Sequence, residues 1–191
     1  QAPTGVGKTI STLYPALKEL GEEKAENIFY LTAKTITRTV AEDTVRLLKK
    51  QGLYLSSVVI TAKEKICIQE EMQCNPDKCE RAAGHFDRIN EVLYALLNAE
   101  VAINRENILL YAEKYSVCPY ELSFEAAAWA DCIICDYNYV FDPHVNRKSL
   151  IEGSQRQNIY LIDEAHNLLD RARDMYSADI AKSDFKMPKK Y

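Results

Sequence analysis

Apolar and polar positions fall in blocks along this chain, and the period of the blocks changes several times. After Gly7 the apolar residues Leu13, Tyr14, Leu17 and Leu20 recur at helical spacing. Gly21 and the charged run Glu22, Glu23, Lys24 and Glu26 end that helix in a surface turn. Asn27 to Thr32 is apolar and rich in β-formers, which predicts a buried strand. After Ala33-Lys34-Thr35 a second helix is predicted through Leu48, with Ile36, Val40 and Leu47 on one side, and a second strand over Ser56 to Thr61. Strands and helices alternating at this length predict an α/β fold, a parallel sheet covered on both faces. Ligands of such sheets gather at the carboxyl ends of the strands, where Thr32, Lys34 and Thr61 fall.

The alternation lapses from about Ala62 to Trp129. Two helices are predicted there, Phe86 to Ala99 with Phe86, Ile89, Leu93, Leu96 and Leu97 on one stripe, and Arg105 to Tyr115. The sheet resumes with a strand over Asp131 to Cys135, followed by a loop of Asp136, Tyr137, Asn138 and Tyr139. A polar segment around Gly153 to Gln157 precedes a last strand, Asn158 to Ile162, and the tail after Arg173 is polar and basic. The expected division is a main domain over 1–61 and 130–173, an insertion over 62–129, and the start of a second insertion over 174–191. No internal repeat or low-complexity segment interrupts it.

Composition narrows the choices. A chain of 191 residues at 47% hydrophobic can bury one good core with a small satellite. The net charge of −4 argues against binding nucleic acid by bulk electrostatics, so any such contact needs a local groove. No run has the length of a membrane span and nothing resembles a signal peptide, so a cytoplasmic protein with no membrane partner is expected. Six cysteines without a secretory signal suggest a reducing compartment, where clustered thiols more often hold metal than form disulfides.

The opening residues Ala2-Pro3-Thr4-Gly5-Val6-Gly7-Lys8-Thr9 carry the first candidate chemistry. Two glycines let consecutive N–H groups converge, and a helix starting near Gly7 adds its positive dipole end; both favour a bound phosphate. Thr4, Gly5, Val6 and Gly7 would line that cradle, Lys8 would reach the outer phosphates, and the Thr9 hydroxyl would hold magnesium. A phosphate loop usually hangs from a core strand, so the chain reads as a piece of a longer protein. Ile159-Tyr160-Leu161-Ile162-Asp163-Glu164-Ala165-His166 then puts two carboxylates at a strand's carboxyl end. Asp163 would complete the magnesium shell with Thr9, Glu164 would orient and deprotonate an attacking water, and His166 would sense the terminal phosphate. ATP and magnesium are the cofactors this pairing implies.

Four cysteines, Cys67, Cys74, Cys79 and Cys118, are spaced C-x6-C-x4-C-x38-C. Structural zinc more often shows two tight C-x2-C pairs, whereas three clustered thiolates and a distant fourth followed by proline fit an iron–sulfur cluster; by spacing alone the two stand even. Cys132 and Cys135 also form a C-x2-C, but on a strand they point to opposite faces and read as core thiols. His85 reads as an exposed residue at a helix start and His144 as a loop residue.

Gly5-Val6-Gly7-Lys8-Thr9 together with Asp163-Glu164-Ala165-His166 resembles the nucleotide motifs of DEAH-type superfamily 2 helicases. The cysteine insertion, with Cys118-Pro119-Tyr120 and the Asn138-Tyr139 segment, is similar to that of the XPD/DinG group of iron–sulfur helicases. The likeness covers essentially the whole chain. It implies a RecA-like first motor domain, ATP hydrolysis coupled to 5′ to 3′ unwinding of DNA, and a 4Fe–4S cluster on Cys67, Cys74, Cys79 and Cys118. The implied partners are single-stranded DNA and duplex junctions, bound by a monomer, in an intracellular and bacterial setting. Thr32, Lys34 and Thr35 fall where these helicases grip phosphates, although a threonine there can equally cap a helix. Tyr137, Asn138 and Tyr139 offer two rings and an amide, for stacking on bases or for packing. The insertion is not basic: 63–114 carries ten acids against seven bases, so it would act on DNA by shape. The other function class is a zinc-stapled P-loop ATPase switch that binds protein partners and unwinds nothing.

Overall fold

The computed structural model describes residues 7–33, 35–145 and 157–178, with the side chains of Thr35 and Ile36 outside that description. In chain order the elements are α1 (Lys8–Gly21), β1 (Ile28–Thr32), α2 (Thr35–Lys50), β2 (Ser57–Val59), α3 (Lys63–Ile66), α4 (His85–Ala99), β3 (Ala102–Ile103), α5 (Arg105–Lys114), α6 (Pro119–Ala127), β4 (Cys132–Asp136), α7 (Asn138–Phe141), β5 (Ile159–Ile162), a 3₁₀ turn (Ala165–Asn167) and α8 (Leu168–Met175). The strands form one sheet in the order β3-β2-β4-β1-β5. All its pairings are parallel.

Strand alternation divides the core into two sides. Ile28, Tyr30, Cys132 and Ile134 face Leu13 and Ala16 of α1 and Ala41 and Val45 of α2. Phe29, Leu31, Ile133 and Cys135 face the other way, into a cluster shared with α4, α5 and α6. Every residue of β1 is buried because both sides are covered, as parallel strands require. The two strand cysteines lie in different clusters, as the alternation demands. Burial pushes the Cys132 thiol up to about 12 and raises Cys135 further, so neither is a thiolate at neutral pH.

The expected inner face of α2 and one position each on α1 and α4 are corrected. Val40 and Leu47 are exposed, and α2 buries Ala41 and Val45 one residue round instead. Tyr14 on α1 and Phe86 on α4 also face solvent, while Val92 joins Ile89 and Leu96 in the core. The insertion is not a separate lobe in its packing. Its residues Ile66, Ile89, Val92, Leu96 and Ile108 share one core with the sheet, and β3 from the same segment forms the sheet's edge. Helix α6 was not anticipated; Pro119 stands in its first turn and Leu122, Ala126 and Ala127 are wholly buried beneath it.

Candidate functional site

The register decides what meets at the carboxyl edge. Leu31 pairs with Ile162 and Thr32 with Asp136, and the Asp163 N–H donates to the Leu31 carbonyl at 2.9 Å. The ends of β1, β4 and β5 therefore stop level, and the residues just past them share one rim.

Helix α1 begins at this rim. Gly7 has φ +70°, the left-handed backbone that glycine adopts at no steric cost, and the first turn of α1 contains no acid. Its first-turn N–H groups and dipole thus present a positive end. Lys8 Nζ lies 3.6 Å from Glu164 Oε1, with the two side chains 39% and 35% exposed. Burial raises the pKa of the Tyr30 phenol, with the Thr9 side chain opposing and the Asp163 carboxylate adding to that rise. Burial and the neighbouring Glu164 carboxylate raise the Asp163 pKa, opposed by the Glu164 N–H and by Lys8. Glu164 itself has φ +50°, a non-glycine residue in the left-handed region at a cost of about 1 kcal/mol. That turn swings its carboxylate back toward Lys8, where it also meets His166 Nδ1 at 3.4 Å. The structure thus brings Lys8, Thr9, Asp163, Glu164 and His166 to one place. Thr4, Gly5 and Val6 lie outside the described residues. This end can hold a phosphate by N–H groups and an ammonium, and a divalent cation by a hydroxyl and a carboxylate.

The rim also opens into a groove of about 650 Å³, lined by Thr32, Asp136, Asn138 and Tyr139 together with Arg38, Lys63, Glu64 and Lys65. Here the sequence expectations fare unevenly. Thr32 lines the groove, with its buried hydroxyl donating to the Cys135 carbonyl. Lys34 lies outside the described residues, as does the side chain of Thr35. Asn138 lines the groove and its buried Oδ1 has no partner, so it can accept a hydrogen bond there. The stacking roles of Tyr137 and Tyr139 are corrected: they are 0% and 5% exposed, and α7 replaces the loop expected at 138–139. The Tyr137 hydroxyl donates to the Asp163 carbonyl, and Tyr139 packs edge-on against Phe124. A ring committed to the core has no free face for a base.

The cysteine segment is held by arginines. Arg88 Nη2 donates to the Ala83 and Ser116 carbonyls, each at 2.7 Å, and Arg81 Nη1 to the Ala112 carbonyl at 2.6 Å. These bonds tie the turns after Cys79 to the approach to Cys118. His85 is buried, not exposed as expected: its Nδ1 accepts from the Cys118 N–H at 3.3 Å, and its Nε2 has no partner. All six cysteines are free thiols, which suits a cluster or zinc chemically. The spatial fit is poorer. Among the described residues no three of His, Cys, Asp and Glu converge where one metal could sit, so Cys67, Cys74, Cys79 and Cys118 are not drawn into one ligand set. No described helix is long and apolar enough to cross a membrane.

An α/β chain whose all-parallel sheet ends in a positive helix start beside an acid pair has the architecture of a helicase motor domain. It belongs to the DEAD_2 family, whose profile matches residues 31–185. It is similar to "Regulator of telomere elongation helicase 1 homolog" of Caenorhabditis briggsae, 23% identical over 96% of this chain and 22% of that protein. It also resembles "Fanconi anemia group J protein homolog" of Gallus gallus, 34% identical over 47% of this chain and 7% of that protein. Among solved structures, an XPD helicase superposes with TM-score 0.58 at 20% identity, covering 92% of this chain and 30% of the other. A truncated XPD gives 0.52 at 20% identity over 91% and 48%. The chain spans about a fifth of the length of the curated relatives it matches. Those relatives are animal proteins and lend the bacterial expectation no support.

Proposed function

We propose that this chain is part of the first motor domain of an ATP-driven DNA helicase acting inside the cell. The observation that carries the reading is the meeting of Lys8 and Thr9 with Asp163 and Glu164 at the start of α1. In it, Thr4, Gly5, Val6 and Gly7 cradle phosphate, Lys8 neutralises the outer phosphates, and Thr9 and Asp163 hold magnesium. Bound magnesium would supply charge to the β- and γ-phosphate oxygens. Glu164 orients a water and accepts its proton as that water's oxygen bonds to the terminal phosphorus and the bond to the diphosphate breaks. His166, paired with Glu164, reports the state of that carboxylate to its surroundings. The groove lined by Asn138, Arg38, Lys63 and Lys65 receives single-stranded DNA, its cations reaching phosphates without reading bases. Travel from 5′ to 3′, action at duplex junctions and a monomeric state follow from the likeness of the motifs.

A 4Fe–4S cluster on Cys67, Cys74, Cys79 and Cys118 belongs to the same reading and rests on the likeness of the motifs, with the arginine ties tethering the segment after Cys79 to the approach to Cys118. No step above runs through it. Anaerobically purified full-length protein should be brown, with about four irons per chain; a colourless, zinc-loaded protein would turn the assignment to zinc. The helicase reading is tested by displacement of a labelled strand from a tailed duplex by the full-length protein, with and without ATP. ATP-dependent displacement supports it, whereas DNA-independent ATP hydrolysis with no displacement would make the chain a switch.

A further inference from the structure

Helix α7 is a single turn, too short to hold itself, yet it supplies Asn138 and Tyr139 to the groove wall. Its position is set from outside. Tyr137 starts the turn, its carbonyl accepting from Val140 N–H at 3.0 Å and Phe141 N–H at 2.9 Å, while its hydroxyl donates to the carbonyl of Asp163. Asp136 uses both oxygens: Oδ1 accepts from the Asn138 N–H at 3.0 Å and Oδ2 receives Arg171 Nη2 at 3.4 Å. Arg171, one helix beyond the acid pair, also donates to the Ala33 carbonyl at 3.3 Å, just past β1. At the far end of the turn, the Tyr176 hydroxyl donates to the Phe141 carbonyl at 3.1 Å. Both ends of α7 are thus fastened to the segment 163–176.

Burial, with the Asp163, Glu164 and Asp136 carboxylates, pushes the Tyr137 phenol up to about 12, so it stays a donor throughout the neutral range. The Tyr137 hydroxyl thus holds the carbonyl of the residue whose carboxylate lies at the acid-pair end.

We propose that α7 is a relay: through Tyr137, Arg171 and Tyr176 it carries the occupancy of the acid-pair end to the groove, and back. This rests on the nucleotide and DNA assignment above. Tyr137 and Arg171 are positioning residues, acting through Asp163 and Asp136 without touching either ligand. Coupling of two sites is reciprocal, so it is read by measuring the Kd of a single-stranded oligonucleotide with and without magnesium and the non-hydrolysable analogue AMP-PNP. In full-length wild-type protein the two values should differ about 5- to 150-fold. In Tyr137→Phe and Arg171→Ala the ratio should fall to within about twofold of one, while the Kd for each ligand alone stays within about threefold of wild type. Damage to the fold would move those single-ligand values as well. Arg171→Lys, which keeps the charge beside Asp136, should restore part of the ratio. A wild-type ratio in both Tyr137→Phe and Arg171→Ala would overturn the relay and leave the site assignment standing. Failure of wild-type protein to bind the magnesium nucleotide would overturn the assignment beneath it.

Discussion

Substituting Glu164→Gln should tighten nucleotide binding while stopping turnover, and the structure sets the size of the effect. Without nucleotide, Lys8 is engaged with Glu164 at 3.6 Å, and a triphosphate has to draw it away. Both side chains are more than a third exposed, so solvent screens the pair and its worth is about 0.2–1 kcal/mol. Releasing Lys8 in advance therefore improves affinity by about 1.4- to 5-fold. Removing a carboxylate that would otherwise face the phosphates acts in the same direction, also screened by salt. The assay is a titration of full-length wild-type and variant protein with a fluorescent ATP analogue and magnesium, at low and at high ionic strength. The variant should bind tighter at low salt, with the gap narrowing at high salt. Equal or weaker binding at low salt, or a gap that widens with salt, would refute the role given to the Lys8–Glu164 contact.

Asp163 yields a pH prediction. Its folded pKa is raised above the unfolded value, so above the folded pKa its ionised form weakens the nucleotide-free fold, and that penalty is relieved as pH falls through it. Asp163→Asn should accordingly melt higher than wild type at neutral pH, with the difference shrinking toward the carboxylate range; a lower melting temperature at neutral pH contradicts the shift. Gly84 has φ +63°, and an added Cβ would lie 2.8 Å from Arg88 Nη1. Gly84→Ala should cost about 1–2 kcal/mol in denaturant unfolding and loosen the ties around Cys79. Leu122 is wholly buried on α6, and Leu122→Ala should cost about 2–5 kcal/mol, placing α6 in the core that supports the sheet.

What the chain discloses as sequence, and what it withholds, follows from physics at particular positions. Strands β1 and β4 are legible because a strand covered on both sides is apolar along its length, as Ile28–Leu31 and Cys132–Cys135 are, whereas the half-buried edge strand β5 shows itself by the run Ile159–Ile162. The parallel sheet followed from their spacing, and the opposed cysteines from the two-residue period. Helix α6 escaped notice for the same reason the strands did not: buried nearly all round, Pro119–Ala127 has no polar stripe to show a period, and Pro119 after Cys118 was its sole start signal. On α2 the small residue Ala41, with Val45, carries the contact while Val40 and Leu47 face out; on α4 the expected stripe holds at Ile89, Leu93, Leu96 and Leu97, and Phe86 at its start faces out. Near the site, the Lys8–Thr9 and Asp163–Glu164 motifs announced themselves by residue type and order. The burial of Tyr137 did not, since an aromatic ring after a strand serves equally for stacking and for packing. Arg171, Tyr176 and Arg88 were invisible as well, because what they do depends on carbonyls far away in sequence.

The central claim is that the start of α1 and the acid pair after β5 form one ATP–magnesium site driven by DNA. Steady-state ATPase of the full-length protein, with and without single-stranded DNA, tests it most directly in wild type and Lys8→Ala. The account predicts DNA-stimulated hydrolysis in wild type and its abolition in Lys8→Ala. Near-normal DNA-stimulated turnover in that variant would contradict it.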